Sequence, residues 1–359
     1  MWSHTLLALA PLVGSSLAWA PPSYSGFNLR WTDAFGGNSG ASPDTGNWNI
    51  ITGDLSVNNE LETWCYVLML PSSYPLATFA YINSSSSRNL QLSGGNTLQI
   101  VPWKGGGTHG WTSGRIESKY TFTPAGGVVT RVEASIRFGS NPISAKQGLW
   151  PAFWMLGNSI RNGVQWPGCG ELDIMETVNG LLTGYGTVHC DRAPGGICQE
   201  TQGLGKSIGI PNQEFHTWRL EWDLTSNNWQ SQSIKWFLDG QAYHTLTGGD
   251  IGNQNVWNTL AHSPMFFILN MAVGGGWPGN PNGATQDGYG AMMEVGYVAH
   301  YQRNNMAVMQ FTKGNNSSTS TDYPNTDEPV APEMMTLLDK EAPSISTNTI
   351  TRMARLFRS

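Results

Sequence analysis

The sequence predicts an all-β protein, a sandwich of two large antiparallel sheets, and three observations carry that prediction. Glycine (43 residues) and proline (20) divide the chain into short segments, as in folds with many turns. Between the turns lie runs of strand length that alternate or stay apolar. Beyond the N-terminal leader and before residue 330, no long segment carries helical periodicity. About 290 residues of such strands can form one domain.

The elements follow in chain order. Residues 6–20, LLALAPLVGSSLAWA, are a short apolar run ending in A-W-A, and residues 1–20 read as a secretory signal peptide. Pro21 is an awkward neighbour for a cut after Ala20. Strand signals then recur as TLQIVPW, SGRIESKYTF and VVTRVEASIRF, the last placing Val132, Ala134, Ile136 and Phe138 on one face. GLWPAFWML, ELDIMET, YGTVHC and HTWRLEWDL continue the series. SIKWFLDGQAYHTL holds an Asp-Gly hairpin signal between two strand runs. PMFFILNMAVGG and EVGYVAHYQ complete the 21–311 domain. Residues 312–359 are polar and proline-containing and read as a disordered tail. The closing TITRMARLFRS could form a short basic helix, but it lacks the apolar stretch of a lipid-anchor signal.

Composition narrows the function. Charged residues make up 12% of the chain, about half the usual share. A net charge of -6 without a basic run argues against nucleic acid as partner. No stretch approaches the ~20 apolar residues of a membrane span. Sixteen tryptophans are more than a core of this size requires. Some belong to packing, and others suit the faces of a groove, where a flat indole stacks on a sugar ring. Four cysteines in an exported chain are expected to pair. Cys190 and Cys198 bracket the turn-rich DRAPGGI, and Cys65 with Cys169 remain by elimination. No spacing suggests zinc. Asn83, Asn315 and Asn316 head possible glycosylation sequons.

One segment carries chemistry. CGELDIMETVNG sets Glu171, Asp173 and Glu176 in an otherwise apolar stretch, and acidic side chains are rarely buried without a reason. Glu171 and Asp173 share strand parity, whereas Glu176 does not. A β-bulge at Ile174 and Met175 would return Glu176 to their face. Three carboxylates so close cannot all ionise freely, so at least one proton is held to higher pH. A retaining glycosidase needs such a set, with a nucleophile and a proton donor about 5–5.5 Å apart. The plainer alternative is a solvated strand face.

GELDIMETVNG resembles the E-x-D-x-x-E signature of glycoside hydrolase family 16, in its laminarinase-like form with an inserted bulge residue. NNELETW, TSGRIESKYTF, GLWPAFWMLG, YGTVHC, HTWRLEWD, WFLDGQAYH and LNMAVGGGWPGNP are similar to family blocks in the same order, over roughly residues 27–303. WPGCGELDIMETVNG is most like fungal secreted members that cut β-1,3 or mixed β-1,3/1,4 glucans. The resemblance implies a concanavalin-like jelly roll with an open cleft on its concave face. It makes Glu171 the nucleophile, Glu176 the acid/base and Asp173 their assisting carboxylate. By matched position, Trp150, Trp154 and Trp166 lie near the reacting sugar. Asn58, Arg115 and His189 contact hydroxyls, and Trp277 is a further stacking face. Each has a plainer reading: Arg115 can pair with Glu117, His189 beside Cys190 can be structural, Trp154 can be core, and Asn58 can cap a turn with Asn59.

Two departures stand out. Many members carry an aspartate where this chain has Gly296 in VGYV, and that aspartate often helps hold a convex-face calcium, so no metal is expected. NNELETWCYV also lacks the usual glutamine-and-tyrosine continuation. The expected activity is a secreted, extracellular endo-β-glucanase acting on β-glucan as a monomer, without a cofactor, since water and two carboxylates suffice. The alternatives are a glucan transglycosylase with the same three carboxylates and a non-catalytic glucan-binding lectin, which typically loses the glutamates.

Overall fold

A computed structural model of the chain describes residues 19–55, 57–64 and 89–303. The leader up to residue 18, Cys65, the sequons at Asn83, Asn315 and Asn316, and the tail from residue 312 lie outside the described residues. The two predicted sheets are present. One has the strand order Leu204–Gly209, Thr183–His189, Glu171–Glu176, Leu149–Gly157, Met265–Val273, Arg115–Ser118 and Trp48–Ile50, antiparallel throughout. The other runs Gln241–Thr247, Ser233–Leu238, His216–Asp223, Val129–Phe138, Met293–Arg303, Leu98–Ile100 and Leu90–Leu92, with Phe27–Asp33 also paired to Met293–Arg303. A three-stranded sheet of Glu62–Trp64, Trp111–Ser113 and Trp103–Lys104 includes one parallel pair.

The core lies between the two large sheets. Ile116, Phe153, Leu172, Val188 and Phe267 from one meet Val132, Trp218, Leu220, Trp236 and Val298 from the other. The alternation read in TRVEASIRF is realised, since Val132, Ala134 and Ile136 join the core between the sheets and Phe138 packs against it partly buried. The Asp-Gly signal is also met: Asp239 (φ 49°) and Gly240 (φ 83°) turn the chain between two paired strands, the left-handed pair that a two-residue hairpin needs. Two glycines of the Thr183–His189 strand admit large indoles from the facing sheet. A Cβ on Gly184 would collide with Trp218, and one on Gly186 would collide with Trp236 and stand 2.5 Å from the Tyr243 hydroxyl.

Three features differ from the sequence reading or add to it. Helix Gln254–Ala261 is too short for its periodicity to stand out, but Asn253 caps it by accepting from the backbone N–H groups of Asn255 and Val256. Cys190 and Cys198 are bridged as expected, and Cys169 carries a free, buried thiol, its expected partner Cys65 lying outside the described residues. Cys169 packs with Leu156, Ile160, Phe266 and Ile268 as one more small apolar side chain. Gly296 faces Trp19, whose ring also lies 4.3 Å from that of Phe215.

Candidate active site

The Glu171–Glu176 strand is irregular where parity requires it. Against the Leu149–Gly157 strand, Trp154 faces Asp173 and Phe153 faces Met175, so Ile174 is extra. The register against Thr183–His189 shifts at the same place, between Asp173 and Glu176. Leu172, Ile174 and Met175 all enter the core. Glu171, Asp173 and Glu176 consequently share the outer face, where the resemblance places the open cleft.

A bulge leaves backbone groups without ladder partners, and here the facing sheet supplies them. Trp236 donates its indole N–H to the Asp173 carbonyl at 2.8 Å, and the Tyr243 hydroxyl donates to the Ile174 carbonyl at 3.4 Å. Gly186 leaves the space through which both side chains reach the bulge.

The carboxylate row is walled in rather than solvated. Asp173 is 3% exposed and Glu176 9%, while Glu171 is half-buried. Trp166 donates its indole N–H to Glu171 at 3.1 Å, and Trp150 donates to Glu176 at 2.9 Å. No donor hydrogen-bonds Asp173 Oδ2, whose near neighbour is His189 Nε2 at 3.4 Å. The other ring nitrogen of His189, Nδ1, lies 2.7 Å from Glu200 Oε2.

Burial raises all three carboxyls, by different amounts. Glu171 is raised, although the neighbouring His189 charge and the Trp166 N–H oppose the shift. Asp173 is raised well above its ordinary range by burial and by the charges of Glu176 and Glu171. Glu176 is pushed up to about 7 by burial, against the Trp150 N–H. Burial works against charge on His189, yet its bond to Glu200 and the charges of Glu171, Glu200 and Glu176 raise it to about 9. Glu176 thus keeps a proton available near neutral pH, while the His189 charge and the Trp166 N–H favour the ionised form of Glu171. Ligand atoms of Glu171, Asp173 and His189 lie within 4.8 Å of one another and could hold a metal ion, but the two carboxylates among them are ones that the acid–base chemistry itself uses.

The other predicted residues divide into two groups. Trp277 is 44% exposed and meets Trp150 and Tyr185 edge-on at 5.4 and 5.1 Å, forming an aromatic corner beside Glu176. Trp166 tilts against His189 at 5.7 Å beside Glu171. Arg115 pairs with Glu117 at 2.8 Å, and its guanidinium covers Trp154 at 5.0 Å. Trp154 in turn donates to Asn270. Asn58 sits in a left-handed turn and bonds Glu60, not Asn59, and its carbonyl accepts from Gly276 N at 2.9 Å.

Sequence reasoning missed Glu200, Asn179, Trp236 and Tyr243. Asn179 donates to the Pro278 carbonyl at 3.1 Å and accepts from Gly148 N, tying down the segment that carries Trp277. The N-G pair at Asn179 and Gly180 was a turn signal that could have drawn attention to it. The other three come from distant segments, and only the folded chain brings them to the row.

Comparison with known proteins points the same way. Residues 79–227 match a family model described as an XgeA-like, catalytic GH16 domain. The crystal structure of an endo-1,3-beta-glucanase from Streptomyces sioyaensis is similar at 36% identity with a TM-score of 0.67, over 79% of this chain and 99% of that one. Glucan endo-1,3-beta-glucosidase A1 of Niallia circulans is 29% identical over 78% of this chain, which spans 39% of that protein's length. A beta-glucanase of Rhodothermus marinus is 26% identical over 84% of this chain and 95% of its own length.

Proposed function

The chain belongs to glycoside hydrolase family 16, and from that premise we propose that it cleaves internal β-1,3-glucosidic bonds of glucans with retention of anomeric configuration. The observation that carries the reading is the bulge at Ile174, which brings three carboxylates to one face and sets each outer one under a tryptophan N–H. The names of the Streptomyces and Niallia relatives support β-1,3-glucan as the substrate class.

Glu171, whose ionised form the His189 charge and the Trp166 N–H favour, attacks the anomeric carbon, while Glu176 gives its proton to the departing glycosidic oxygen. A covalent glycosyl-enzyme results. Glu176, now ionised, takes a proton from water, which displaces Glu171 and restores the β configuration. Asp173 holds a proton between the two and lowers the cost of three neighbouring charges. Trp277 offers a platform for a sugar ring beside Glu176. The N-terminal leader supports secretion as part of the proposal.

Product analysis on laminarin, lichenan and xyloglucan tests the reading. Rapid release of laminari-oligosaccharides of mixed length, first formed as β anomers, is expected. Products longer than any donor fragment would point to transglycosylation, and binding of laminarin without turnover to a lectin.

A further inference from the structure

We propose that Glu200 is a positioning residue for this reaction: it follows directly on the loop closed by the Cys190–Cys198 bridge and holds the His189 ring in place beside Asp173 and the carboxylate row. The inference rests on the hydrolase reading of the three carboxylates and adds to them a group from outside the motif.

The geometry leaves Glu200 little freedom. It is 6% exposed and uses both oxygens, Oε2 at 2.7 Å from His189 Nδ1 and Oε1 accepting from Cys190 N at 2.8 Å. An ionised carboxylate only accepts, so Nδ1 must carry a proton, and this fixes both ring orientation and tautomer. Nε2 then lies 3.4 Å from Asp173 Oδ2, and His189 stands directly opposite Glu171 across the strand pair. The loop is built to deliver the carboxylate. Gly195 and Glu200 exchange backbone hydrogen bonds, and the disulfide spans a sequence separation of 8. Gly203 makes room for the ring, since a Cβ there would stand 2.8 Å from His189 Cε1.

The charges around the imidazole come from two sides, Glu171, Asp173 and Glu176 on the motif strand and Glu200 just past the bridged loop. Arg115 adds a more distant positive charge at Glu171 from the Arg115–Ser118 strand. A cation within about 4–6 Å lowers a carboxyl by about 1–3 pH units. His189 therefore opposes the rise that burial gives Glu171, and this outweighs the direct push of the Glu200 charge in the other direction. Glu200 is the hydrogen-bonded partner that favours the charged imidazole.

Glu200→Gln tests this, because the amide can still accept from Cys190 N while the negative charge is gone. The acid limb of the kcat/KM profile on laminarin should move up by about one pH unit, about a tenfold loss of activity on that limb, and Glu200→Asp should return it toward the parent. A folded Glu200→Gln enzyme with an unmoved acid limb would overturn the proposal. Nitrogen-15 NMR of His189 in the unmodified enzyme needs neither substrate nor variant and so separates this proposal from the assignment of substrate. The ring should stay doubly protonated through neutral pH, and loss of the proton near the ordinary value of about 6.5 would also overturn it.

Discussion

Replacing Trp236 with phenylalanine should damage a site that this residue never enters. Its fully buried indole is the donor to the Asp173 carbonyl, at 2.8 Å, where the bulge takes that carbonyl out of the ladder. Phenylalanine leaves the carbonyl unsatisfied, at a cost of about 1–3 kcal/mol. The smaller ring leaves a gap in a packed core, for about 1–2 kcal/mol more. For a domain of this size the sum corresponds to a melting temperature roughly 5–15 °C lower. The functional effect should exceed what stability alone gives. A bulge that relaxes shifts Glu176 relative to Glu171, and a misplacement of about 1 Å costs about 10²-fold in rate. Thermal unfolding and kcat on laminarin, measured well below the variant's transition, separate the two effects. Gly186→Ala, which pushes a Cβ against Trp236 and Tyr243, should reproduce both losses from the opposite side. A Trp236→Phe enzyme that loses stability but keeps its kcat would refute the view that the cross-sheet bond holds the carboxylates in line.

Further outcomes follow from the same geometry. Glu176 acts as the acid only while protonated, and burial pushes its carboxyl up to about 7. Activity should therefore fall as pH rises through neutrality, and Glu176→Gln should lose this basic limb together with about 10²–10⁴-fold in kcat; a basic limb that survives in the variant would assign the proton to another group. Changing Cys190 and Cys198 together to serine should cost about 2–3 kcal/mol in urea unfolding and lower kcat by loosening Glu200, and unchanged kcat would separate the loop from the chemistry. Mapping of unreduced peptides should recover Cys169 with its thiol free, since it is buried and pushed up to about 12; a bridge from Cys169 to Cys65 would contradict the packing described.

The sandwich could be read because antiparallel strands announce themselves locally, through alternation in TRVEASIRF and the turn at Asp239 and Gly240. The bulge could be read for the same reason: a parity break between Asp173 and Glu176 lies within six residues. What holds the bulge could not. Trp236 and Tyr243 lie more than sixty residues away in sequence and act through the core, a relation that no local pattern encodes. Glu200 was hidden in the same way, in a loop whose composition signals only turns. Arg115 shows the opposite limit. Its match to a family position is clear in sequence, yet its near neighbours are Glu117 and the ring of Trp154.

The account stands on Glu171 being the group that becomes covalently bonded to sugar. Incubation with a 2-deoxy-2-fluoro-β-laminaribiosyl fluoride should trap that bond, because fluorine at C2 slows both steps while the fluoride leaving group lets the first proceed. Peptide mass spectrometry should then find one added glycosyl group in the segment GELDIMETVNG, fragmenting to Glu171, and laminarin should protect against labelling. A label on Asp173 or Glu176 would reassign the roles in the row. An enzyme that hydrolyses laminarin to the α anomer and takes up no label would contradict the retaining mechanism itself.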